Sequence, residues 1–142
     1  MPKRRTDSGN PRDWMLFVKA DMDTVRLLTR YKTAFFVCRS KLAEALEKTI
    51  KADLLARGWR LEKIQDLPKL CDYLSEYDRA QADQLQPLVD DLAESYTESR
   101  YPGFDLDEPD WSDFRRVAVQ VKRYIQVVKR TRLPRPPKKR PG

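Results

Sequence analysis

At 142 residues the chain is sized for one domain, long enough to bury a core without disulfides or a metal. It has no histidine, which excludes a His general base, a Ser-His or Cys-His nucleophile pair and any His metal ligand. Two cysteines cannot complete a four-ligand zinc site, and the four glycines spell no phosphate-binding loop, so neither a metal nor a cofactor is expected.

The net charge of +7 is unevenly placed. Lys3, Arg4, Arg5 and Arg12 against Asp7 give residues 1–12 a charge of +3, and nine Lys/Arg without an acid give residues 122–142 a charge of +9. The body between them is left at −5. Basic ends suit contact with nucleic acid or an acidic partner; the alternative is a solubilising, disordered tail. No apolar run approaches the ~20 residues of a membrane span, so no membrane partner is expected. The N-terminus lacks the apolar segment of a secretory signal. Cys38 and Cys71 fall on apolar stripes and read as small buried hydrophobes in a reducing, cytoplasmic setting.

The prolines suggest a division into a basic arm over residues 1–12, a helical domain over 13–132 and a flexible Pro/Lys/Arg-rich tail over 133–142. Within the domain the periodicity is helical throughout, with no period-2 alternation and no hairpin turn signal. A first helix is expected from Asp13, an N-cap residue type, with Trp14, Phe17, Val18, Met22, Val25 and Leu28 as its apolar stripe. A break over Tyr31 to Thr33 lets the chain reverse. The second and longest helix buries Phe35, Cys38, Leu42, Ala45, Leu46, Thr49, Ile50 and Leu54 and stops at Gly58. Glu44–Lys48 and Glu47–Lys51 are spaced as favourable i,i+4 surface pairs on its other side.

Asp66 caps a third helix with Pro68 in its first turn and Leu67, Leu70, Cys71 and Leu74 inside. The polar stretch 75–83 reads as a link. Pro87 then suits the first turn of a fourth helix whose stripe is Leu85, Leu88, Leu92 and Tyr96. A loop broken by Pro102-Gly103 leads to a fifth helix from Asp110 to Arg130, buried through Phe114, Val117, Ala118, Val121, Ile125 and Val128. Five helices with short connections make an all-α, five-helix up-and-down bundle. Tyr73, Tyr77, Val89, Tyr124 and Val127 flank the stripes and either widen the core face or support a dimer.

The segment Ala43–Leu70 resembles the HEPN (higher eukaryotes and prokaryotes nucleotide-binding) domain family. Glu47-Lys48, Ile50-Lys51-Ala52, Leu54-Leu55 and Gly58 match its second helix. Lys63-Ile64-Gln65-Asp66-Leu67 matches the following loop, with Gln65 where histidine is common. Tyr96, Arg100, Tyr101 and Pro102 match the family's segment before the last helix. The resemblance implies a small helical bundle, typically a homodimer and often paired with a minimal nucleotidyltransferase as a toxin–antitoxin couple.

Many relatives are metal-independent ribonucleases whose signature is an arginine, four to six intervening residues and then a histidine. Arg100 matches the arginine, but the histidine positions hold Asp105, Leu106 and Asp107. Cleavage of RNA without metal needs a base for the 2′-OH, and an exposed carboxylate is a weak base at neutral pH. The expected function is therefore a non-catalytic nucleotide- or RNA-associated accessory protein. The alternatives are a diverged ribonuclease using Arg100 and Tyr101, and a protein-binding scaffold with a basic tail.

Two basic constellations are candidate phosphate contacts. One strip comprises Lys48, Lys51, Arg57, Arg60 and Lys63 with Trp59 among them. The other comprises Lys122, Arg123, Lys129, Arg130 and Arg132 at the end of the fifth helix, running without an acid into the tail. Arg100 offers a planar fork for phosphate and Tyr101 a stacking surface. The bland reading of each is a solvated or locally paired face.

Overall fold

A computed structural model describes residues 5–93, 95, 102–103 and 108–133, and its described residues form five α-helices and no strand. Helix α1 spans Pro11–Tyr31, α2 Phe35–Ala56, α3 Leu67–Tyr77, α4 Arg79–Leu92 and α5 Trp111–Thr131. Arg100, Tyr101, Tyr96, Asp105–Asp107 and residues 134–142 lie outside the described residues.

Helix α1 starts earlier than Asp13. Its N-cap is Asn10, whose side chain accepts from the Arg12 amide at 2.9 Å, and Pro11 sits in the first turn where its missing N–H is harmless. Pro11 and Arg12 thus belong to the helix. Asp13 is instead buried and accepts from the Asp7 amide at 2.8 Å, while the Trp14 indole N–H donates to the Ser8 carbonyl at 2.8 Å. These two bonds fold residues 7–10 back onto the start of α1. Phe17, expected inside, is exposed, whereas Met15 is buried.

The chain reverses through Lys32 and Ala34, both left-handed, and α2 then crosses the centre of the molecule. It packs against α1, α3, α4 and α5, which explains its burial on nearly all sides from Leu42 to Leu54. Gly58 ends it at φ 97°, a region where a side chain would strain the backbone. Asp66 caps α3 through the Lys69 amide at 3.1 Å, with Pro68 in the first turn.

The link expected over residues 75–83 is helix. Helices α3 and α4 meet at the single residue Asp78, whose side chain caps α4 by accepting from the Gln81 amide at 3.0 Å. Pro87 therefore lies in the interior of α4 rather than its first turn. Proline and Asp83, four residues before it, are both exposed, so water can reach the carbonyl that loses its partner.

Helix α5, capped by Asp110, packs on α2 and α4. All its expected core residues are buried except Ala118, which is half-buried. Phe35, Trp111 and Phe114 meet edge to face, centroids 5.1–5.8 Å apart, and lock the start of α2 to the start of α5. Of the flanking apolar residues, Val89 and Tyr124 join the core, Tyr73 is half-buried, and Tyr77 and Val127 remain exposed.

Candidate functional site

The strip expected from Lys48 to Lys63 does not form one exposed surface. Lys48 is held by Asp21 of α1, Nζ to Oδ2 2.7 Å. Lys51 is only 5% exposed, its ammonium 5.0 Å from the Trp14 ring centroid and 3.9 Å from Glu47. The two expected i,i+4 pairs thus differ: Lys51 faces Glu47 loosely, while Lys48 bonds Asp21 and Glu44 bonds Lys41 at 2.9 Å. Trp59 is buried against Tyr73. Of this strip Arg60 and Lys63 are exposed.

Burial pushes the Glu47 carboxyl above the usual carboxylate range, against the pull of Lys51 and Lys48. Burial likewise pushes the Lys51 ammonium below its usual value, with Glu47 opposing. These groups border two small clefts that share Gln65. One, about 210 Å³, is lined by Ser40, Glu44, Glu47 and Lys48; the other, about 330 Å³, by Trp14, Lys51 and Lys63. The loop after Gly58 therefore brings the Gln65 position over the charged side of α2, an arrangement that can take a small polar group.

Arg57 belongs to a second, deeper constellation. Asp53, 1% exposed, accepts from Arg57 Nε at 2.8 Å, from Arg132 Nε at 3.2 Å and from the Tyr124 hydroxyl at 2.8 Å. Arg57 also reaches Asp78 at 3.1 Å. The cluster ties α2, the α3–α4 junction and the end of α5 together. Burial first, then the Asp53 charge, raises the Tyr124 hydroxyl well above its ordinary pKa. Nothing in the spacing of Asp53 marks it in the sequence except that it is a lone acid within the apolar run Ala52–Leu55. Arg57 and Arg132, expected as phosphate contacts, are occupied here by carboxylates.

The solvent-facing cations lie elsewhere. On α5, Lys122, Arg123, Lys129 and Arg130 are exposed, and none forms an ion pair with a described residue. The sequence continues from them into the acid-free segment 133–142.

The family model of the HEPN domain matches residues 12–130. The chain belongs to the HEPN domain family. That match spans all five helices, from the first turn of α1 to the last turn of α5. Searches among curated proteins and solved structures found no match. HEPN membership places the chain in a family associated with nucleotides and RNA. The all-α bundle agrees with that membership, and none of the described helices is long and apolar enough to cross a membrane. Among the described residues no group of three or more His, Cys, Asp or Glu could hold a metal ion.

Proposed function

We propose that this HEPN chain is a non-catalytic, nucleic-acid-associated accessory protein. It holds RNA through Arg123 and Arg130 of α5, Lys129 beside them, and the basic segment that follows. The observation that carries the reading is the exposure of these side chains, which make no ion pair with a described residue. Phosphate contact by such groups releases counterions and gives salt-sensitive, sequence-indifferent binding. Arg60, Lys63 and the Gln65 clefts are a secondary contact, sized for a nucleotide fragment. Without histidine the chain lacks a side chain that takes a 2′-OH proton readily at neutral pH. Homodimerisation, and service as one member of a toxin–antitoxin or nucleotidyltransferase pair in the cytoplasm, complete the proposal.

The test is anisotropy of a labelled 20-nucleotide single-stranded RNA across a salt series. Replacing Arg135, Lys138, Lys139 and Arg140 with glutamine should flatten the log K against log[salt] slope by about 0.7 per lost contact. An unchanged slope and affinity would refute the electrostatic part. Catalytic turnover of RNA by the pure protein in the presence of a chelator would refute the non-catalytic part.

A further inference from the structure

Helices α1 and α5 both pack on α2, and between them runs a groove of about 520 Å³. Its floor is apolar, built from Met22 of α1 and Ala118, Val119 and Ile125 of α5. Val119 is 49% exposed in it. Its rim is cationic on both sides: Lys19 and Arg26 on α1, Arg115, Lys122 and Lys129 on α5. Among the described residues Asp23 is the one carboxylate lining it, so those residues give the rim +4. Lys19 and Arg26 share Asp23 at 2.8 and 3.2 Å in exposed pairs, which hold little energy and are easily re-partnered. Arg115, Lys122 and Lys129 form no ion pair with a described residue.

The spacing is as informative as the charge. Lys19 and Arg26 are seven residues apart, and so are Arg115, Lys122 and Lys129 in succession. Seven-residue steps return to nearly the same face of a helix, so each wall presents a straight row of cations beside an apolar seam. From Arg115 to Lys129 the row is about 21 Å long at 1.5 Å per residue, which matches three to four turns of a third helix.

We infer that this groove docks an acidic amphipathic helix of a partner protein. The apolar seam of that helix lies on Met22, Val119 and Ile125. Its flanking carboxylates meet the two rows of cations, as e and g positions do in coiled coils. RNA phosphates would meet the rim but gain nothing from the apolar floor. A second copy of this chain would oppose +4 with +4 across the seam. The inference shares only Lys129 with the RNA reading, which otherwise rests on Arg123, Arg130 and the segment beyond Leu133.

The probe is a synthetic 21-residue peptide with leucine at heptad a and d and glutamate at e and g, labelled for anisotropy and titrated with the full-length chain. A peptide of the same seam with lysine at e and g is the control. The acidic peptide should bind and the basic one should not. Arg115→Glu with Lys122→Glu should weaken binding roughly tenfold or more. Val119→Asp should do the same without removing a cation, and both variants alter exposed positions, so helical circular dichroism should be unchanged. The glutamine replacements in 135–140 should leave peptide affinity intact while weakening RNA. Three outcomes would overturn the inference: equal binding of the two peptides; acidic-peptide binding indifferent to these groove substitutions; or sedimentation showing a homodimer that Val119→Asp dissociates.

Discussion

Replacement of Asp53 by alanine tests whether the buried polar cluster is a structural lock. The carboxylate receives two guanidinium N–H bonds, from Arg57 at 2.8 Å and Arg132 at 3.2 Å, and the Tyr124 hydroxyl at 2.8 Å. Breaking a buried ion pair by removing one partner costs about 3–5 kcal/mol, because the remaining charge is left in an apolar setting. Two features place Asp53→Ala at the low end. Arg57 keeps Asp78, at 3.1 Å, and the Arg132 side chain is one-third exposed and can rehydrate. Tyr124 has no such escape: it is buried, and its hydroxyl loses the carboxylate it donates to.

A loss of about 3 kcal/mol is therefore expected for Asp53→Ala. For a domain of this size that is a fall in Tm of about 6–12 °C. Tyr124→Phe removes one hydrogen bond to a charged group and should lose about 1.5–3 kcal/mol. The double variant should lose less than the sum of the two, since both remove the same contact. Urea unfolding followed at 222 nm measures all three. If Asp53→Ala lies within about 0.5 kcal/mol of the wild type, the size of an ordinary surface change, the cluster is not a lock and the argument fails.

The Asp78 carboxyl is held below its ordinary pKa by the Gln81 amide first, and also by Arg57, against some burial. A lowered acid stabilises the fold above its unfolded pKa and loses that contribution as pH falls through the native value. Asp78→Asn should thus be less stable than wild type at neutral pH, the two converging in acid-unfolding curves as pH falls through the lowered native pKa of Asp78. Glu47 and Lys51 are both shifted toward their neutral forms by burial, so together they should add little. Glu47→Gln with Lys51→Met should equal or exceed wild-type stability in urea, and each single change should fall below the double; a double variant much weaker than either single would contradict this. Cys38 and Cys71 are buried with thiol pKa values raised by desolvation, so a thiol reagent should modify the native chain slowly and both cysteines rapidly in denaturant. Rapid native labelling would show that the core opens there.

The helices were most legible in α3 and α5, which have one buried face and clear caps; in α1 the register slipped at Phe17 and Met15. Leu70, Cys71 and Leu74 of α3, and Phe114 to Val128 of α5, lie inside as their spacing indicates. Gly58, Asp66 and Pro68 punctuate as such residue types do locally. The central helix breaks the one-face rule. Because α2 meets four neighbours, Lys51 and Asp53 are buried although they sit off the apolar stripe. The α3–α4 junction was missed because it lacks glycine and proline; its signal is Asp78 with Gln81 three residues on, a cap that polarity alone disguises as a loop. The partners of the expected site cations were not legible for a different reason. Whether a cation is available depends on carboxylates distant in sequence, such as Asp21 for Lys48 and Asp53 for Arg132, which no local window contains.

That pairing explains how a chain whose body has a net negative charge presents exposed rows of cations. Asp21, Asp53, Asp78 and Asp91 are engaged by Lys48, Arg57, Arg132 and Arg39; apart from Arg57–Asp53, which lies within α2 and its C-cap, each pair joins different helices or a helix to a junction. Such contacts fix how the helices sit and pair those cations with carboxylates of the fold. Among the described residues the α1–α5 groove is lined by a single carboxylate, Asp23, against five lysines and arginines, which leaves the described rim positive. Charge reversal should separate the two groups. Lys48→Glu should lower stability, through repulsion with Asp21, while Lys122→Glu should leave Tm within about 2 °C of wild type, as surface changes do. Equal Tm losses in a melting experiment would mean that the α5 cations are also part of the scaffold, and the division of labour between interior and surface charge would fall.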